Sequence, residues 1–500
     1  MRWIILTTML AIGMATGRAI PAQKLVTTVT GGVIAGERNG AITSYKGIPF
    51  AAPPVGPLRW RPPQPVPPWT GVRPATQFAP TPLQGRLVAT LLGVPWHFSE
   101  DCLYLNVWTP ATNATQKLPV MVWLYGGAFN FGSTAQPLYD GTHLAEQGVV
   151  VVSVAYRLGV FGFLVHPELT QEGALGNFGI RDQIAGLQWV HDNIASFGGD
   201  PGQVTIFGES AGGLSVGLLV TSPKARGLFQ RAIAESGALA PQKKFATAEQ
   251  EGVAFLAQLK VKDLAAARAL PARDILNASS FATVTVDEEL FAADPYQCVK
   301  HGQANTTPIL IGFNSDDGGL FVWGRKSPAD FTNGLRQAFG ENAGKVLALY
   351  PHANQPEATH SAKAAFRDVA FAWPVWQWAS LQTERTTNAA FVYIFDQHSS
   401  FWQPDGAMHA AELGYVFNNL KRPNREDAEL AGRMSRYWVN FARTGNPNGP
   451  GLPTWSPFNR TNHDFMYFGG PPRMAPMLGL PQIQRLAPEI ELFWKTGPGK

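Results

Sequence analysis

A serine between glycines follows an apolar run near the middle of the chain. The run covers residues 204–207, and the pentapeptide Gly-Glu-Ser-Ala-Gly at 208–212 comes directly after it. This G-x-S-x-G pattern is typical of a sharp strand-to-helix turn that lifts a serine hydroxyl above a sheet edge, and its glycines leave room for the neighbouring backbone. The pattern predicts that Ser210 is a nucleophile for acyl transfer.

A glycine-rich turn upstream could supply the hydrogen-bond donors that such chemistry needs. Residues 125–129 read Tyr-Gly-Gly-Ala-Phe and follow the apolar run 118–124. A tetrahedral acyl-transfer intermediate is stabilised by backbone N–H groups aimed at its oxygen, and a glycine-rich turn presents them without side-chain obstruction. The N–H after the nucleophile, on Ala211, is predicted to complete this oxyanion hole. The alternative is a plain tight turn.

The base for a serine nucleophile is expected to be a histidine that follows it in the chain. In this class of fold the order is nucleophile, acid, then histidine, and six of the ten histidines qualify: His301, His352, His360, His398, His409 and His463. His409 stands out because small residues surround it soon after the apolar run 390–395. His409 and Glu412 could also be read as metal ligands, but no second such pair exists, so no metal is expected.

Two aspartates are candidates for the acid. Asp316 and Asp317 follow the apolar residues 309–313 and precede the histidine segment. One of them could instead cap a helix. The residues alone leave the choice between them open.

Alternating strands and helices must position these groups. Residues 118–125 and 148–155 are near-continuous apolar runs, typical of strands covered on both faces, and residues 177–197 have helical spacing. Further strands are predicted at 204–207, 232–234, 308–311 and 390–395. This alternation predicts the α/β class, with a mostly parallel central sheet flanked by helices.

The flanking segments add detail to this architecture. Residues 31–45 alternate like a hairpin, and the proline-rich residues 53–68 predict an extended strap over the surface. A helical, aromatic-rich stretch lies between residues 317 and 409, so we expect inserted cap-like helices whose aromatic side chains wall a substrate cleft. These aromatic residues are Phe371, Trp373, Trp376, Trp378, Phe401 and Trp402. The alternative is that they belong to the core and that the cleft is narrow.

The first residues predict an export signal. Arg2 precedes an apolar stretch at residues 3–15, and small residues follow up to Ala22. This arrangement is typical of a cleaved signal peptide, here residues 1–22, and thus of a periplasmic or secreted protein. An uncleaved anchor is the alternative, but the stretch is too short to cross a bilayer.

Charge and cysteine content exclude other classes of protein. The formal net charge is +4 over 500 residues and no Lys/Arg cluster stands out, so nucleic acid is not expected as a partner. No segment after the signal is long and apolar enough to span a membrane. Only Cys102 and Cys298 are present, which is too few for a disulfide framework.

Together these motifs resemble the type-B carboxylesterase/cholinesterase family. The resemblance covers about residues 31 to 468, nearly the whole chain after the signal. Its signatures appear at residues 99–108, 125–129, 177–183, 207–213 and 312–318 and in the segment around His409.

The resemblance implies one α/β-hydrolase domain over residues 23–500 without a cofactor. It selects Asp317 as the triad acid, because this residue immediately precedes a glycine as the family's acid does, although the family usually has Glu there. It makes the N–H groups of Gly127, Ala128 and Ala211 the oxyanion donors. It also implies buried polar support for the triad from Glu209 and Ser236.

Two structural details also follow from the resemblance. Family positions imply two buried ion pairs, between Arg59 and Glu100 and between Arg157 and Asp182. Family members commonly pair the cysteine at position 102 with one about two dozen residues upstream. The upstream residues 78–82 contain no cysteine here, so Cys102 and Cys298 are predicted to be free thiols.

The expected function is hydrolysis of small-molecule carboxylic esters through an acyl-enzyme on Ser210. The turn at residues 125–129 resembles that of hydrolases with a longer glycine-rich oxyanion turn, which accept esters of bulky alcohols, and Ala128 adds only one methyl group to it. The resemblance therefore implies that esters of aryl or branched alcohols with short to medium acyl chains are accepted. Two alternatives stay open: a binding protein on the same scaffold, and an enzyme acting on amides, thioesters or lactones.

Overall fold

The computed structural model describes residues 24–280, 282–398 and 405–496. Its strands, in chain order, are β1 (Lys24–Val29), β2 (Gly32–Asn39), β3 (Ile42–Pro49), β4 (Val72–Pro74), β5 (Thr81–Pro82), β6 (Phe98–Ser99), β7 (Tyr104–Thr109), β8 (Leu118–Leu124), β9 (Val150–Val154), β10 (Gly199–Glu209), β11 (Arg231–Glu235), β12 (Lys243–Lys244), β13 (Thr285–Val286), β14 (Ile309–Asn314), β15 (Ala390–Phe395), β16 (Asp464–Phe468) and β17 (Arg473–Pro476).

Helices alternate with these strands through most of the chain. They are α1 (Arg86–Leu91), α2 (Thr142–Ala145), α3 (Gly159–Phe163), α4 (Pro167–Gln171), α5 (Phe178–Asn193), α6 (Ala211–Thr221), α7 (Phe245–Gln258), α8 (Leu264–Ala269), α9 (Ala272–Ala278), α10 (Pro295–Lys300), α11 (Pro328–Phe339), α12 (Ala343–Leu347), α13 (Gln355–Arg367), α14 (Trp373–Arg385), α15 (Leu413–Val416), α16 (Arg425–Thr444) and α17 (Leu480–Thr496). None of the described helices is long and apolar enough to cross a membrane.

Thirteen strands form one central sheet with a parallel middle. Its order is β1-β2-β3-β7-β9-β8-β10-β11-β14-β15-β16-β17, with β4 beside β2. In this order every neighbouring pair from β9 to β16 is parallel. The neighbouring pairs from β1 to β9 are antiparallel, and so is the last pair, β16 with β17. The near-continuous apolar runs supply the middle strands, because helices cover both faces there. The predicted α/β-hydrolase class with a mostly parallel sheet is confirmed.

The hairpin and the strap lie where the sequence predicts them. Strands β2 and β3 pair antiparallel across the turn at residues 40–41. Between residues 50 and 70 the chain contains only one short 3-10 turn, Gly56–Leu58. The strap is nevertheless fixed, because the fully buried indole of Trp60 donates to the carbonyl of Val160 and that of Trp69 donates to Val33. The expected signal at residues 1–22 lies outside the described residues.

The inserted cap-like helices are α11 to α14, between β14 and β15. A five-residue π-helix, Asp368–Ala372, joins α13 to α14. Two of the aromatic residues expected to wall the cleft are core residues instead, since Trp373 and Trp378 are buried on α14, which packs on the sheet. Trp376 donates to His463 and does not face the cleft. Phe401 and Trp402 lie outside the described residues.

Both predicted ion pairs are confirmed. Arg59 and Glu100 approach to 2.6 Å, and Arg157 and Asp182 approach to 2.7 Å. The second pair is the more deeply buried, with the side chain of Asp182 completely enclosed. Cys102 and Cys298 are buried free thiols, as predicted.

Candidate active site

Ser210 lies in a strained turn between β10 and α6. Its backbone has φ 56° and ψ −121°, a region that non-glycine residues rarely adopt. The turn is so tight that a Cβ on Gly212 would overlap the carbonyl oxygen of Leu124. The N–H of Ser210 donates to the carbonyl of Glu235 on the adjacent strand β11, which holds the turn to the sheet. The serine is thereby held beyond the carboxyl end of β10.

The structure brings His409 and Asp317 together at the same edge of the sheet. Nδ1 of His409 lies 2.8 Å from Oδ1 of Asp317. The other carboxylate oxygen of Asp317 accepts hydrogen bonds from the hydroxyl of Ser236 and the backbone N–H of Asn314. Asp317 is completely buried, so these contacts fix its orientation and hold the imidazole ring in turn.

Asp316 points elsewhere. Its carboxylate lies 4.0 Å from Nζ of Lys363, and its backbone N–H donates to the carbonyl of Ala407. Burial raises the pKa of Asp316 to about 6. The carboxylates of the two adjacent aspartates therefore lie in different surroundings, and only Asp317 contacts the histidine.

The second ring nitrogen of His409 faces Glu209. The distance from Nε2 to Oε1 of Glu209 is 3.1 Å, in a geometry that makes no hydrogen bond, and neither atom has a hydrogen-bond partner within the part of the chain that is described. Burial lowers the pKa of His409, but surrounding carboxylates outweigh it and raise the pKa to about 9, with Glu209 the strongest of them. Burial raises the pKa of Glu209 in its turn. Proton occupancy on this glutamate and on the histidine is thus coupled.

Two further buried acids lie near this pair, and the sequence did not predict either of them as support for the triad. Glu412 is completely buried and accepts a hydrogen bond of 2.5 Å from the amide of Asn314. Glu235 accepts from the indole of Trp438. Burial raises the pKa of both carboxyl groups above the ordinary value. In the sequence, Glu412 is marked only by its position three residues after His409, a spacing that also suits metal ligands.

The glycine-rich turn lies against the serine turn. A Cβ on Gly126 would meet the backbone of Glu209 at 2.7 Å and the side chain of Ser210 at 3.0 Å. Gly127 and Ala128 both have positive φ, 114° and 53°. Their N–H groups make no hydrogen bond to any described residue. Ala211 opens α6, so its N–H is among the donors that a helix leaves unsatisfied in its first turn.

A large apolar cavity opens over these groups. Its volume is about 880 Å³, and Ala128, Ser210, Ala211 and Ser236 line one end. Its remaining walls are largely apolar and come mainly from α11, α13, the π-helix and α17.

Aromatic rings from the wall of this cavity pack against His409. The ring centroids of Phe321 and Phe371 lie 5.0 and 5.1 Å from that of the imidazole. Phe366 stacks on Phe321 at 4.8 Å. Phe371 was expected in the wall, whereas Phe321 was not, although it follows Asp317 by about one helical turn.

Comparison with known proteins identifies the family. A model of the Carboxylesterase family matches residues 22–484. The chain is 37% identical over 451 residues to the para-nitrobenzyl esterase of Bacillus subtilis (strain 168), covering 85% of this chain and 91% of that protein. It is 34% identical to the fumonisin B1 esterase of Sphingopyxis macrogoltabida, covering 91% of this chain and 89% of that protein.

Solved structures agree with this assignment. A PNB esterase structure superposes with a TM-score of 0.84 at 34% identity and covers 92% of this chain and 99% of its own. A thermophilic PNB esterase gives a TM-score of 0.84 at 33% identity, with the same coverage. The chain belongs to the carboxylesterase family and is a carboxylic ester hydrolase.

Proposed function

We propose that the chain hydrolyses esters in two acyl-transfer steps, with Ser210 as nucleophile, His409 as general base and Asp317 as the residue that orients the imidazole. The observation that carries the proposal is the 2.8 Å contact between His409 and Asp317, at the sheet edge where Ser210 enters the apolar cavity. Ser210 attacks the ester carbonyl and loses its proton to His409, which then protonates the leaving alcohol. Water activated by His409 releases the acid from the acyl-enzyme.

The oxyanion that forms in each step is assigned to the N–H groups of Gly127, Ala128 and Ala211. Two observations support this: the first two make no hydrogen bond to described residues, and the third opens a helix. Removing one such donor in related chemistry costs about 3–4 kcal/mol of transition-state stabilisation. Glu209 and Ser236 are positioning residues, because they contact His409 and Asp317.

The test of the nucleophile is Ser210→Ala beside the matched control Ser222→Ala. Ser222 is a buried serine at the other end of α6 whose hydroxyl has no hydrogen-bond partner among the described residues. The Ser210 variant should lose nitrophenyl acetate hydrolysis by about a million-fold and resist labelling by an organophosphate probe, while the Ser222 variant keeps both. Turnover by Ser210→Ala at the parent rate would overturn the assignment.

For substrate shape, the proposal is esters of aryl or branched alcohols with short to medium acyl chains. The cavity beside Ser210 is wide and largely apolar, and Ala128 adds a single methyl group to the oxyanion turn. One relative is named for para-nitrobenzyl esters, which carry an aryl group on the alcohol side. The test compares n-butyl acetate with tert-butyl acetate. Brisk turnover of the first with none of the second would reject the branched-alcohol proposal.

For cellular location, the proposal is that residues 1–22 direct export and that residues 23–500 form one hydrolase domain. The charged and apolar pattern of residues 1–22 supports the first part, and the family match over residues 22–484 supports the second. Cell fractionation with mass spectrometry should find the periplasmic or secreted protein shortened by about 22 residues. Full-length protein confined to the cytoplasm would contradict export.

A further inference from the structure

A second cavity lies beside the oxyanion turn and plays no part in the mechanism above. Its volume is about 540 Å³, within the range that small-molecule sites occupy. Its walls come from the segment before and into α1, from residues 130–131, and from α9 with the two serines that follow it. The turn at residues 127–131 therefore contributes Ala128 to the substrate cavity and Asn130 to the second cavity.

The charged groups of this cavity are all cationic. Arg86 on α1 and Arg273 on α9 line it from two separate elements, and none of the described residues that line it is Asp or Glu. Both guanidinium groups are exposed, and neither forms an ion pair or a side-chain hydrogen bond with any described residue. Elsewhere in the molecule many arginines pair with a carboxylate or a carbonyl, for example Arg59 and Arg157. Two unpaired guanidinium groups at one cavity leave a local positive charge without a protein counterpart.

The rest of the lining combines apolar surface with neutral donors. Phe98 and Leu276 supply apolar wall, and both are half-buried. The amide of Asn277 and the hydroxyl of Ser280 also face the cavity and have no hydrogen-bond partner among described residues. A ligand that satisfies these groups needs an anionic oxygen end and an apolar body.

We propose that this second cavity binds an organic carboxylate with an apolar or aryl body. Arg86 and Arg273 would hold the carboxylate, because the planar guanidinium group matches carboxylate geometry with paired N–H donors and is weakly hydrated. Phe98 and Leu276 would contact the apolar body.

Occupancy of the cavity bears on catalysis through Asn130. The amide of Asn130 donates to the carbonyl of Ala128 and to that of Ala282. Asn130 therefore ties the oxyanion turn to the segment that carries Ser280. The ligand carboxylate is either part of the ester substrate or a separate acid, and the two sources share the same recognition chemistry.

The test is equilibrium binding of 2-naphthoate and its neutral isostere 2-naphthamide to the intact protein, measured by calorimetry at low ionic strength. Both compounds enter apolar cavities alike, so the difference between them reports the charge. We expect naphthoate to bind about tenfold more tightly than naphthamide, with the preference falling as salt screens the arginines. In the double variant Arg86→Gln/Arg273→Gln the two compounds should bind equally.

The matched control is Arg385→Gln, which removes an exposed arginine at the end of α14, away from this cavity. It should keep the preference for naphthoate. Equal binding of the two compounds by the parent protein, or a preference that survives in the double variant, would overturn the proposal. Because the measurement involves no turnover, its outcome is independent of the roles proposed for Ser210, His409 and Asp317.

Inhibition by naphthoate of the hydrolysis of a nitrophenyl ester that carries a free carboxylate distinguishes the two sources of the carboxylate. Competitive inhibition that disappears in the double variant supports a carboxylate carried by the substrate. Mixed inhibition or activation that disappears in the double variant supports a separate acid. An effect unchanged in the double variant contradicts the site, because the ligand then acts elsewhere.

Discussion

Glu209 controls the charge on the histidine next to it. Its carboxylate lies 3.1 Å from Nε2 of His409 and contributes most to raising the pKa of that imidazole. A histidine that acts as general base must be neutral, so activity rises with pH as His409 loses its proton. A raised pKa moves this rise to higher pH. When Glu209 holds a proton, the pKa of His409 falls, and a larger fraction of the histidine is in the neutral, proton-accepting form near neutrality.

Replacing Glu209 with Gln should therefore shift the acidic limb of the pH profile of kcat/KM to lower pH, by about one unit. The removed negative charge no longer favours protonated His409, so its pKa falls. The control is Glu146→Gln, which changes an exposed glutamate of another ion pair and should leave the profile unchanged. An acidic limb that stays in place or moves to higher pH in Glu209→Gln would contradict this role.

The sequence alone predicts most of the catalytic residues, but it does not decide between two adjacent residues of the same type. Asp316 and Asp317 share a residue type and a strand end, so only the family resemblance favoured one of them. The structure separates them because the chain turns after β14 and directs one carboxylate to His409 and the other towards Lys363. Such a difference of direction within a turn has no signature in composition or spacing.

Among the elements, one buried ion pair joins three segments. Arg157, after β9, makes two side-chain hydrogen bonds to Asp182 on α5, and a third guanidinium N–H donates to the carbonyl of Arg61 in the strap. Replacing Asp182 with Asn would leave a buried cation without its counter-charge. We expect the free energy of unfolding to fall by about 3–5 kcal/mol in denaturant titration.

The control for this pair is Glu429→Gln on the surface of α16. Glu429 pairs with Arg425, whose side chain is 94% exposed. Because solvent screens that pair, the variant should unfold as the parent does. Equal stability of the Asp182 and Glu429 variants would show that burial of the first pair has no energetic consequence.

Packing of the serine turn depends on glycine at position 212. A Cβ there would overlap the carbonyl of Leu124 in β8, and backbone cannot yield as a flexible side chain can. Gly212→Ala should lower the free energy of unfolding by about 3 kcal/mol and abolish activity. Gly432→Ala is the matched control, since nothing lies within 4 Å of its added methyl in the middle of α16. That variant should be as stable as the parent or gain up to about 1 kcal/mol.

Elements were predicted best where their residues were buried on both faces. The strands β8, β9, β14 and β15 can be predicted from their near-continuous apolar sequences, because a strand between two helical layers has no polar face. The direction in which a strand runs does not change its residue pattern in this way. The antiparallel pairing of β7 with both neighbours could therefore not be predicted from its residues. Strand β10 was predicted only from residue 204, because its first residues are not apolar, but it already begins at Gly199, and its pairing with β8 shifts register between Gly199 and Val204.

At the scale of the whole molecule, the structure holds two thiols apart from solvent. Cys102 is 2% exposed and Cys298 is 1% exposed, and both are free. Titration with a thiol reagent should find little reaction in the native protein and two thiols after denaturation without reductant. Burial explains the first result, and the missing upstream cysteine explains the second. A denatured, unreduced protein with no reactive thiol would contain a bridge and contradict this prediction.

The wide sequence separation of the site residues has a consequence for the rate of folding. His409 and Asp317 are 92 residues apart, and Ser236 is 81 residues from the aspartate it supports. Parallel strands cannot pair until the long intervening chain has been ordered, and such non-local contacts form slowly. During refolding from denaturant, far-UV circular dichroism should therefore recover before esterase activity. Simultaneous recovery of the two signals would mean that the helices do not form ahead of the parallel sheet.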